Sequence, residues 1–63
     1  MRKATVIHLF VEEYYGSLEA LHSALKADWW KVQENWSFYV DGLCRDSLIT
    51  MEQYHNWTFP WPR

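Results

Sequence analysis

From Leu18 to Leu43 apolar residues recur every three or four positions: Leu18, Leu21, Leu25, Trp29, Val32, Trp36, Tyr39, Val40 and Leu43. At 100° per residue they stay on one face, which is helical amphipathicity, and the phase is not lost at Asp28. A helix from Ser17 to about Cys44 would be about 40 Å long at ~1.5 Å per residue. A compact chain of this size has a radius of gyration of only about 11 Å. Two outcomes are open. The helix breaks near "KADWW", with Asp28 as a new N-cap, and folds back as a hairpin; or it stays whole, and the molecule is elongated and exposes its stripe unless another chain covers it. Neither Gly nor Pro marks a break.

The flanking punctuation is clearer. Gly16 suits the left-handed residue just past a helix, Ser17 the N-cap of the next, and Glu19 that helix's first turn. Thr50 and Gln53 make a T-x-x-Q capping box that opens a short helix from Met51 to about Trp57, and Pro60 and Pro62 forbid its continuation. Leu48 and Ile49 are expected to plug the corner between this helix and the one before it. A β-hairpin through Asp41-Gly42 is the competing reading of "SFYVDGLC", and it sacrifices the helical face from Trp36 to Leu43. "TVIHLFVEEYY" is ambiguous: Ile7, Phe10, Val11 and Tyr14 form a helical face, while Ile7, Leu9 and Val11 alternate. A lone strand would have no partner, so Thr5 to Tyr15 is expected to be helical. The expected fold is all-α, a small helical hairpin or bundle of three to four helices with an aromatic-rich core, forming one domain over residues 1–63. Residues 57–63 form an extended aromatic and proline tail.

Composition narrows the function. A 63-residue chain buries only about 60% of the surface its unfolded form exposes. With Cys44 as its single cysteine it has no internal disulfide. Its five Trp, four Tyr and three Phe are therefore needed in the core. The net charge of −2, with acids and bases scattered singly apart from Arg2-Lys3 and Glu12-Glu13, offers no footprint for nucleic acid. The uncharged apolar run Ala4 to Val11 is far short of the ~20 residues of a membrane span, and no cleavage site follows it. A soluble, reducing, cytoplasmic setting fits these features.

Catalysis needs a nucleophile, a base and an orienting group that converge. Cys44 lies on or beside the apolar stripe, where a small hydrophobe is the simpler reading than a reactive thiol. His8, His22 and His55 lack the i, i+4 spacing of a helical metal site, and a partly buried polar histidine on each helix is the simpler reading. Glu12-Glu13 read as a solvated acidic rim. No catalytic residue, cofactor or metal is expected. A helix-turn-helix would need Arg or Lys on its second helix, and "MEQYHNW" has none.

The unabsorbed features are aromatic. Trp30 falls at the edge of the stripe, Phe38 lies almost opposite it, and Phe59 and Trp61 are held extended by Pro60 and Pro62. Clustered exposed aromatics mark interaction surfaces, so Trp30, Phe38, Phe59 and Trp61 are the candidate partner-binding residues. The competing reading covers Phe38 with the first helix and Trp30 with the tail, while Trp57 and Trp61 seal the chain's own groove.

The chain as a whole, especially "EEYYGSLEALHSALKADWW" and "WSFYVDGLCRDSLITMEQYHNWTFPW", resembles the product of the open reading frame of this length in the exo–xis region of lambda-like phages. The likeness is one of overall sequence rather than of a diagnostic motif. It implies a small helical protein made early in infection in the host cytoplasm, from a region linked to phage development and host physiology. It implies no enzyme activity and brings no site residues. The functional expectation is a non-enzymatic accessory protein that binds a host or phage protein, foremost a host regulatory protein, with a homodimer left open. The alternative is a DNA-associated developmental regulator acting as a dimer or beside a basic partner.

Overall fold

The computed structural model describes residues 1–63 and contains no strand. The fold is all-α, with α1 over Lys3–Tyr14, α2 over Leu18–Ala27, α3 over Trp29–Arg45 and α4 over Met51–Asn56. The long stripe is broken, and one residue breaks it. Asp28 takes φ −158° and ψ 85°. Its backbone N–H donates to the Ala24 carbonyl at 2.8 Å, closing α2. Its carboxylate accepts the Lys31 N–H at 3.2 Å, opening α3. Aspartate is a strong N-cap because its side chain replaces a missing helical acceptor, so neither Gly nor Pro is required. The break lets α2 pack on α3. The longest extent is 31 Å, shorter than the ~40 Å of an unbroken helix.

The other helix ends follow local chemistry. Gly16 adopts φ 86°, and the Val11 carbonyl accepts from both Tyr15 N–H and Gly16 N–H at 2.9 Å, closing α1. The Ser17 hydroxyl accepts Ala20 N–H at 3.1 Å. In the capping box Gln53 N–H donates to Thr50 Oγ1 at 3.0 Å, while Thr50 N–H donates to Gln53 Oε1 at 2.9 Å. Asp41 and Gly42 lie inside α3 and make no hairpin turn. At the end of α3, Ser47 N–H reaches the Cys44 carbonyl at 3.0 Å and Leu48 N–H the Leu43 carbonyl at 2.9 Å. That is a Schellman motif, and it places Ser47 at φ 63°. The motif turns the chain so that Ile49 enters the core at 4% exposure while Leu48 points out at 51%; only one of the two fills the corner.

Nine residues are buried, all of them apolar: Val6, Phe10 and Val11 of α1, Leu21 of α2, Val32, Trp36, Val40 and Leu43 of α3, and Ile49. The buried face of α1 is therefore rotated from the expected Ile7–Phe10–Val11–Tyr14 set. Phe10 fixes the rotation. Its ring lies 5.3 Å from Trp36, 5.6 Å from Tyr39 and 6.0 Å from Trp61, centroid to centroid, distances at which aromatic pairs attract. Val6, one turn back, follows it inward, and Tyr14 is left 44% exposed. α1 runs alongside α3 in the opposite sense, with Met1 hydrogen-bonded to Leu48 and Tyr15 to Asn35.

Candidate functional site

The structure separates the four candidate aromatics into two pairs. Phe59 and Trp61 are half-buried and pack against the core. The Trp61 carbonyl accepts the Trp29 indole N–H at 2.8 Å, and its ring lies 6.0 Å from both Phe10 and Trp36. Phe59 meets Trp29 edge-on at 5.2 Å. Pro60 and Pro62 have no N–H to satisfy.

Trp30 and Phe38 are the outward pair, 60% and 66% exposed. They share the side of α3 that carries Glu34, Asp41 and Arg45, within about 80° of arc at 100° per residue and about 12 Å apart along the axis. This side lies opposite the buried Val32–Trp36–Val40–Leu43 row. α1 does not cover Phe38. Trp30 stands edge-on to Trp29 at 4.9 Å, and the Arg63 guanidinium lies 5.2 Å from its ring centroid, so the tail touches Trp30 without burying it. Arg45 and Asp41 pair at 2.6 Å beyond Phe38. Beside Trp30 an open cleft of about 510 Å³ runs between the end of α2 and the tail, with Leu25, Lys26 and Pro62 in its walls.

The titratable groups lie mostly at the surface. Cys44 is half-buried and its thiol donates to the Met51 thioether at 3.2 Å. The three histidines, expected to be partly buried, are all exposed; His8 Nε2 lies 3.3 Å from Glu12 Oε1, one turn along α1. No three His, Cys, Asp or Glu side chains gather in a metal-binding arrangement. Burial, followed by the charge of Glu13, raises the Tyr39 hydroxyl above its usual pKa of 10.0. No helix is long and apolar enough to cross a membrane. Sequence periodicity alone did not anticipate the exposed Leu18, Leu48 and Met51. Leu18 is the first residue after the Ser17 cap, and Leu48 and Met51 flank the corner, positions where periodicity fades.

No family model matches the chain, and no curated protein or solved structure matches it.

Proposed function

We propose that the chain is a non-enzymatic phage accessory protein that works in the host cytoplasm by binding another protein, a host regulatory protein, through the outward face of α3. The observation that carries this reading is the pair Trp30 and Phe38, two large aromatic side chains more than half exposed on one helix face. Truncating an aromatic anchor at the centre of an interface costs about 2 kcal/mol or more, or about 30-fold in affinity. The α2–α3 helical hairpin, sealed by the proline-bearing tail, is the scaffold that holds the face rigid. The resemblance to the exo–xis proteins supplies the partner class.

The test is affinity capture from nuclease-treated host lysate with the intact chain and with Trp30→Ala/Phe38→Ala, both checked for helicity by circular dichroism. The reading expects one identified host protein retained by the first and lost by the second, with retention persisting as salt is raised. Equal retention by both chains removes α3 from the interface. Binding that collapses with salt and depends on nucleic acid favours the DNA-associated alternative.

A further inference from the structure

Arg63 rests on two indole rings while its charge is left without an acid. The guanidinium lies 5.6 Å from the Trp29 ring centroid and 5.2 Å from that of Trp30, inside the ~6 Å reach of a cation–π contact. The ion pairs of the fold are His8–Glu12 and Arg45–Asp41, and neither involves it. Ring contact restrains a long side chain before any ligand arrives, and the planar fork of N–H donors that remains matches a carboxylate. Lys26, also exposed and without an acidic partner, lines the same cleft of about 510 Å³. Asp28 is the one acidic side chain in that lining, and its carboxylate is engaged in capping α3 through Lys31 N–H. With His22 neutral, two positive side chains therefore face one negative in a chain whose net charge is −2. Much of the remaining wall is apolar, from Leu25, Trp29, Trp30 and Pro62. Two cations beside an apolar wall suit one anionic group next to an aliphatic one. A polyanion needs a longer basic track, and the chain as a whole would repel it.

We propose that this cleft takes a glutamate or aspartate of the protein partner together with an adjoining aliphatic residue. The carboxylate meets Arg63 and Lys26, and the aliphatic side chain lies against Trp30 and Leu25. The proposal rests on the reading that Trp30 belongs to a protein-docking face, and it names the chemistry of the segment that docks there.

The probe is acetyl-Leu-Glu-Leu-amide, titrated into the intact ¹⁵N-labelled chain at about pH 7.5, where an imidazole is mostly neutral. Acetyl-Leu-Gln-Leu-amide, the uncharged isostere, is titrated in parallel. The expected result is a saturable shift of the Trp30 indole N–H and the Arg63 amide, with the Glu peptide bound at least about fivefold more tightly than the Gln peptide. That preference shrinks as salt screens the exposed charges. Arg63→Gln, outside the buried core, brings the two peptides within about twofold of each other, Lys26→Gln narrows the gap, and Phe38→Ala leaves it unchanged. Equal binding of the two peptides overturns the proposal, as does a response that leaves the Trp30 indole unmoved. So does a short oligothymidylate that shifts the same signals at lower concentration than the Glu peptide, because the anion read is then a nucleic-acid phosphate. If capture of a host protein depends on Trp30 and Phe38 while the two peptides bind alike, the docking face stands and its acidic partner does not. A Glu-selective response at Trp30 beside capture indifferent to Trp30 and Phe38 sinks the docking reading instead.

Discussion

Replacing Asp28 by alanine asks what holds the chain in its bent form. Two local effects act in the same direction. The carboxylate bond to Lys31 N–H is lost; it is 3.2 Å long and exposed, which places it near the middle of the ~0.5–2 kcal/mol range for a lost N-cap. Alanine also favours an unbroken helix over aspartate by roughly 0.5 kcal/mol. The swing toward a continuous α2–α3 helix is therefore about 1.5 kcal/mol. Straightening would return Leu21 and much of the α3 stripe to water, and each fully buried side chain of that kind contributes about 1.5–3 kcal/mol. Exposing three of them, Leu21, Val32 and Trp36, costs several times what the substitution supplies. Asp28→Ala should thus lower the urea unfolding free energy by about 1 kcal/mol, equivalent to about 4–8 °C in Tm for a domain this small, and leave the folded shape alone. Small-angle scattering should give the same maximum dimension for both proteins, set by the 31 Å long axis plus side chains. Asp28→Asn, which keeps the acceptor, should lose less. A variant that lengthens measurably would refute the reasoning, because the cap and not the core would then be holding the bend.

Ser47→Gly should stabilise the chain by about 1 kcal/mol in denaturant titration, since Ser47 occupies φ 63° where a side chain costs roughly 1–2 kcal/mol and glycine does not. Trp61→Ala should cost about 2–3 kcal/mol, under the ~3–5 of a fully buried tryptophan, while Phe38→Ala should fall within about 0.5 kcal/mol of wild type; similar losses at both positions would contradict the division into packed and outward aromatics. The raised Tyr39 pKa means that above pH 10 the unfolded chain releases this proton before the folded one. Stability should therefore fall as pH rises from 10 through the folded-state value. Tyr39→Phe should flatten that slope, and a 295 nm titration should lose its latest-rising component in this variant.

Features settled by neighbours along the chain could be read in advance. Gly16, Ser17 and the Thr50–Gln53 box act over at most five residues, so the sequence carries all the information they use. Asp28 was recognisable as a cap, but whether it is used depends on burying Leu21 against α3, a comparison no local window contains. The face of α1 was legible only to within one position along the helix. Its rotation is decided by the aromatic partners of Phe10, and one of these, Trp61, is 51 residues away. The same limit applies to the candidate site. Four aromatics stood out in the sequence, yet which two would be drawn inward depended on a tail whose direction comes from the Trp29–Trp61 hydrogen bond.

The contact between Phe10 and Trp61 also sets a timetable. During synthesis α1 emerges first, and the α2–α3 pair can form as soon as both helices are outside the ribosome. The Phe10 ring nevertheless lacks its Trp61 neighbour until that residue has been made and has cleared the exit tunnel, which at ~5–20 residues per second is several seconds after α1 was translated. Through that interval the emerged part of α1 carries Phe10 without its Trp61 neighbour, and the nascent chain presents an aromatic ring that the finished protein hides.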